Sequence, residues 1–365
     1  MYKLPAQRGF TLIEVLISTV VALFATLAIF QSFAVSESYR RTATSGGDAA
    51  FSGAVGAYLI DRDLRMAGFG INTSTYLGCA VSGSDSGVSP TAAINFTLAP
   101  VQINAGVGVN PDSITVLSSG TGMMPGPINL TAALASSAAN YVVTDAYGVT
   151  TGDVLLLAEN GQPCTIAQAS NTPTSGSTQQ NIIKHATGRY NPSGGMGPNY
   201  SSAAVVMDMG TTPTANTYRI QNNNGLPNFN TLLVDQLIAD QFGQPVAGNV
   251  VQLRAQYGKA TTAADIAAGI VDSWDNVTPA TPAGWAQVLA IRVALVARSA
   301  KPEKPDPTSG VCSTTAAAPS VTWNDGTTTT LDVSATAPTG PAWQCYRYRV
   351  FHVTSSLRNL IWTPS

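Results

Sequence analysis

The chain has 365 residues, of which 10% are charged, and a formal net charge of -2. That is sparse against the roughly 25% charged share of average proteins. Without a Lys/Arg stripe there is no electrostatic footprint for nucleic acid, and a polar share made of Ser, Thr, Asn, Gln and Gly suits an extracytoplasmic, turn-rich β protein.

The first nine residues carry Lys3 and Arg8 and end in Gly9. From Phe10 to Val35 the only formal charge is Glu14, and the rest is Leu, Ile, Val, Phe, Ala and small hydroxyl residues. About 20 apolar helical residues cross a hydrocarbon core roughly 30 Å thick, so the run is a membrane span. A carboxylate near its start costs up to about 3 kcal/mol on insertion scales unless it finds a partner. Cleavage after Gly9 would supply one, because the new amino group of Phe10 would lie one helical turn from Glu14. A secretory signal is cut after its apolar core, whereas the plausible cut here comes before it, so the span stays on the mature chain. Charges flank the span on both sides, Arg40 and Arg41 following it, and do not by themselves set its orientation.

Helix-compatible sequence continues from residue 36 to Ala67. Phe51, Val55, Tyr58 and Leu59 recur at helical spacing and predict the core-facing side. Asp61, Arg62, Asp63 and Arg65 predict a solvated face, and Ser45-Gly46-Gly47 predicts a bend, since two glycines cost about 2 kcal/mol relative to alanine. The helix should stop at Met66-Ala67-Gly68-Phe69-Gly70, where glycine allows a C-cap. A continuous helix from Phe10 to Ala67 would be roughly 85 Å long.

Beyond Gly70 the pattern changes to short strand-like runs broken by Gly, Pro, Asn and Ser. Ile94 to Leu98, Ser113 to Leu117, Tyr141 to Thr144, Asp153 to Ala158 and Thr165 to Gln168 are expected strands. Ala203 to Met207, Thr217 to Gln221, Val250 to Tyr257, Gln287 to Ala297 and Tyr346 to Thr354 follow. Helix first and strands afterwards, without alternation, argues an α+β architecture with an antiparallel sheet packed on the amphipathic half of the helix. The expected organisation is residues 1–9 as leader, 10–35 as span, 36–67 as amphipathic helix and 68–365 as one β-rich globular domain. No nucleophile elbow or phosphate loop is present, and Gly120, Gly122 and Gly126 miss the dinucleotide spacing. His185 and His352, the two histidines, have no ligand cluster in sequence, so no enzyme activity, cofactor or metal is expected.

The junction Gly9-Phe10 with Glu14 as fifth residue of the cut chain resembles the leader of type IV pilins and type II secretion pseudopilins. The resemblance implies the pilin fold, cleavage between Gly9 and Phe10 by a prepilin peptidase, methylation of Phe10, and an assembly-register role for Glu14. Leu59-Ile60-Asp61-Arg62-Asp63-Leu64-Arg65-Met66-Ala67-Gly68-Phe69 is similar to the helix end of PilW minor pilins and J-type pseudopilins. Asn249 to Gly258, Val288 to Ser299 and Tyr348 to Leu360 also resemble PilW proteins, while residues 71–245 carry no motif of the family. Gln31 stands where major pilins commonly have a helix-kinking proline. The resemblance implies a minor pilin that primes pilus assembly at or near the tip, inserted in the inner membrane with its globular domain periplasmic and then carried into the extracellular pilus. Implied partners are the major pilin, PilV-, PilX- and FimU-like minor pilins and a PilY-type adhesin. A J-type pseudopilin or a membrane-anchored adhesin is the alternative. In the oxidising compartment so implied, Cys79, Cys164, Cys312 and Cys345 should be bridged. Of the three pairings, Cys79 with Cys164 and Cys312 with Cys345 is favoured, the second closing a Pro- and Thr-rich loop, and the other two stay open.

Overall fold

The computed structural model describes residues 9–120, 126–192, 195, 197–223, 225–306, 308–334 and 342–361. Residues 1–8 of the expected leader, with Lys3 and Arg8, lie outside them. A single α-helix, Leu12–Met66, runs for 55 residues, roughly 80 Å at 1.5 Å per residue. It runs unbroken through Gly46 and Gly47, where the sequence suggests an interruption. No neighbour lies within 4 Å of where their Cβ atoms would be, so no contact forces a kink, and a break would add two uncapped helix ends. Past the C-cap Ala67, Gly68 turns the chain with φ 77°, and its N–H donates to Leu117 O at 2.8 Å.

Among the described residues the strands form three larger sheets and two of two strands each, in place of the one antiparallel sheet on the helix expected from sequence. The C-terminal sheet runs Ser273–Asp275, Val250–Lys259, Val288–Arg298, Tyr348–Ser356, all antiparallel. Its strand Val288–Arg298 is buried at every residue. One face meets the helix, and the other is covered by Val321, Trp323, Leu331 and Val333. A strand buried on both sides reads as a near-continuous apolar run, and this one is interrupted only by Arg292 before its terminal Arg298. The second sheet, Gln241–Gly248, Thr231–Gln236, Thr214–Gln221, Ser113–Ser118, Val101–Asn104, is also antiparallel and shares the helix core.

The third sheet has six strands and one parallel pair, Ala80–Asp85 beside Cys164–Gln168. Its side chains alternate between two cores, as the two-residue period of a strand dictates. Val154 and Leu156 point to the main core, while Leu155 and Leu157 join a second one with Tyr141, Val143, Ile183, Tyr200 and Val206. No residue of the helix belongs to this second core. Disulfides join Cys79, just before Ala80–Asp85, to Cys164, the first residue of the neighbouring interior strand, and Cys312 to Cys345, in the cover of the C-terminal sheet.

Candidate functional site: the long helix and its two faces

Thr11 caps the helix. Its Oγ1 accepts from Glu14 N at 3.4 Å, and its backbone N–H and hydroxyl both donate to Glu14 Oε2 at 2.9 Å. In the uncut chain, therefore, the acid expected to pair with the Phe10 amine serves a capping box one turn from Phe10. The apolar stretch Leu12–Glu37 is 26 residues long and wholly exposed, about 39 Å of helix against a hydrocarbon thickness of roughly 30 Å. Its hydroxyls are satisfied within the helix: Ser18 donates to Val15 O, Thr19 to Leu16 O and Thr26 to Leu23 O at 2.8 to 2.9 Å. Such internal bonds spare the span from presenting bare polar groups to lipid.

The soluble half of the helix packs with a face the apolar periodicity did not indicate. Ala49, Gly53, Gly56, Ile60 and Leu64 are buried, whereas Phe51 and Tyr58 are 73% and 66% exposed. The reason is proximity. A Cβ on Gly56 would lie 3.0 Å from Leu232 Cδ2 and 3.4 Å from Leu295 Cδ1, and one on Gly53 would collide with the Phe351 ring. Glycine at spacing three thus lets the helix backbone lie directly on the sheets, and the aromatic rings are left for the far side. Phe51, Tyr58 and Arg65, each seven residues apart, line up with Arg62 on that outward face.

Asp63 departs from the expected solvated face. Its Oδ2 accepts from Tyr218 OH at 2.7 Å and from Asn216 Nδ2 at 2.8 Å, and Arg62 Nη2 donates to Oδ1 at 2.9 Å. Burial, with the Asp63 charge adding to it, holds the Tyr218 phenol well above its usual range, so it stays a hydrogen-bond donor. Asp61 does stay near solvent, paired with Arg65 at 2.9 Å. At the helix end, Asn359 Nδ2 donates to Ala67 O at 3.0 Å. Sequence reasoning also missed Arg292, buried between the rings of Trp274 and Trp323 at 4.5 Å from each centroid. It donates to Gln256 Oε1 and to Asp325 Oδ2, holding the cover onto the C-terminal sheet. The Gly-x-x-Gly spacing at 53 and 56 was the available signal for close helix packing.

His185 is buried, stacked on Tyr141 and bonded to Ala139 O at 2.7 Å, while His352 lies on the C-terminal sheet against Trp323. Among the described residues no cluster of three His, Cys, Asp or Glu can hold a metal ion.

A lipid-length helix head with a lone acid, continuing as the close-packed spine of a strand-rich domain, is a pilin-like architecture. The prokaryotic N-terminal methylation motif matches residues 4–30, which include Gly9, Phe10 and Glu14. The family model of type IV pilus-assembly protein W matches residues 217–359. That matched segment holds most of the helix seat: Tyr218, Leu232, Leu295, Phe351 and Asn359. No curated protein shows significant sequence similarity to the chain. A solved type IV-like pilin from Thermus thermophilus aligns at 14% identity over 57% of this chain and 86% of its own, with a TM-score of 0.23, too low to bear on the globular part.

Proposed function

We propose that this chain is a minor pilin that primes type IV pilus assembly and is incorporated at or near the pilus tip, with a structural rather than an enzymatic role. The carrying observation is the two-faced helix. One side is sealed to the sheets through Gly53 and Gly56, and the other presents Phe51 and Tyr58 in line with the exposed span. Exposed aromatic rings on a rigid helix suit packing against further helices, so a subunit leaving the bilayer would trade lipid contacts for those of a helical bundle. In this reading residues 1–9 are a leader that a prepilin peptidase removes, Phe10 is methylated, and Glu14 leaves Thr11 to pair with a pilin's amino terminus, fixing axial register. The globular domain is periplasmic until the subunit enters the pilus. The major pilin, PilV-, PilX- and FimU-like pilins and a PilY-type adhesin are the partners that the family suggests. The additional lobe built on the second core makes the subunit bulky, which suits a low-copy position at the end of a fibre better than a repeating one.

The test is replacement of the chromosomal copy by Glu14→Val. The variant should be cut at Gly9 and remain in the membrane, yet give fewer surface pili, because an unmatched cationic amine in a low-dielectric bundle costs more than a lost surface ion pair. Wild-type pilus number with normal tip composition would refute the docking role of Glu14, and a secretion defect with normal pili would instead assign the chain to a type II system.

A further inference from the structure

A cleft of about 620 Å³ opens on the lobe that neither family match covers, between the loops 144–150 and 172–181. That volume lies within the roughly 300 to 1,000 Å³ of small-ligand sites. The loops are fixed to each other and to the second core before any ligand arrives. Thr151 N donates to Thr172 Oγ1 at 3.0 Å, Asn181 Nδ2 to Thr144 O at 3.0 Å and Val143 N to Asn181 O at 2.9 Å. Ala146 and Val149 are buried in that core.

The same bonds orient the polar side chains of the wall. Asp145, which lines the cleft, accepts from Tyr147 N through Oδ1 at 2.9 Å, and its Oδ2 remains as a further acceptor. Gln180 Oε1 accepts from Gly176 N at 2.8 Å, which sets its amide so that Nε2 is available as a donor. Asn181 spends its Nδ2 on Thr144 and keeps its side-chain oxygen as an acceptor. Acceptors and donors of Asp145, Gln180 and Asn181 thus line the cleft together with Tyr147, which is 64% exposed.

We propose that this cleft binds a neutral, multiply hydroxylated ligand, that is, a saccharide of an uncharged surface glycan. Vicinal hydroxyls both donate and accept, matching the mixed set of Asp145, Gln180 and Asn181. The ring of Tyr147 offers a flat apolar surface for the C–H face of a sugar, with its hydroxyl at the wet edge. The lining holds no Lys or Arg, and Asp145 would repel an anion, so sialylated, sulfated or phosphorylated ligands are disfavoured. Thr144, Thr150, Thr172 and Ser175 line it where a lipid or apolar ligand would need hydrocarbon. The site is independent of where the chain sits in a pilus.

The test uses the full chain in an oxyethylene detergent, whose headgroup cannot compete as a sugar would. An array of neutral, sialylated and sulfated glycans is screened, and the best neutral oligosaccharide is then titrated calorimetrically. Binding should be selective for neutral glycans and unchanged by EDTA. Tyr147→Ala should weaken it about tenfold or more, on the order of one strong contact, and Tyr147→Phe should largely retain it. Gln102→Ala, in a separate cavity of about 510 Å³ beside Phe96, should leave binding unchanged. Thermal melts of the Tyr147 variants should match wild type, as the ring is exposed. No neutral glycan bound, preference for anionic glycans or peptides, loss with EDTA, or wild-type affinity in Tyr147→Ala would overturn the proposal.

Discussion

Asp208 is fully buried in the third sheet, where its Oδ1 accepts from Gly210 N at 2.8 Å while Oδ2 has no hydrogen-bond partner among the described residues. Burial pushes the carboxyl up to about 6, against the pull of the Gly210 amide, and Asp153 adds repulsion. A raised folded-state value means that the native chain holds a proton the unfolded chain has already released. The resulting stability is complete below about pH 4 and is lost as pH rises through about 6. The gap from 3.8 to about 6 corresponds to roughly 3 kcal/mol. Asp208→Asn should therefore be more stable than wild type at pH 7.5, with the advantage shrinking towards pH 4, as followed by thermal unfolding in detergent. An advantage equal at both pH values would mean that the native carboxylate is charged throughout. Asp63 Oδ2, by contrast, accepts from both Tyr218 and Asn216.

The long helix separates two kinds of substitution that look alike in sequence. Gly56→Leu should destabilise the fold by about 1 to 3 kcal/mol, because Leu232 already stands 3.0 Å from the missing Cβ. Phe51→Ser and Tyr58→Ser should leave stability within about 0.5 kcal/mol, both side chains being exposed, yet reduce piliation. Melting temperatures and pilus counts on the same strains check both; a collapse of the fold in Phe51→Ser would show that the faces are misassigned. The helix itself was plain in the sequence, from Phe10 to the glycines after Met66, since length and apolar content need no tertiary knowledge. Its buried face was not. Periodicity scores large apolar residues as core, and here small ones face the core because the backbone comes so close.

At the scale of the molecule, the cover of the C-terminal sheet is held by Arg292 between two tryptophans and by the Cys312–Cys345 bridge, whose ends are 33 residues apart. Loop closure of that length is worth roughly 3 to 4 kcal/mol. Cys345→Ser should lower unfolding stability by some of that amount and admit a hydrophobic dye to the outer side of Val288–Arg298, measured by denaturant titration with the dye present; unchanged stability would show the cover to be held by packing alone. Most strands were legible as β-branched or apolar runs, including Ser113–Ser118 and Val250–Lys259. Ala80–Asp85, small and polar, gave no such signal, and the division into separate sheets depends on pairings too distant in sequence for local pattern to reveal. The cleft at Tyr147 was invisible for the same reason, as its two walls come from loops about 30 residues apart.

Burial on the helix begins at Ala49, while the lipid-length stretch ends at Glu37. Between them, residues 38–48 form eleven residues of helix, about 17 Å at 1.5 Å per residue. In the proposed pilin reading they would act as a stalk. About 17 Å of bare helix exceeds the roughly 10 to 12 Å diameter of another helix, room for a neighbouring subunit's stem to lie flush along this one between lipid and folded body.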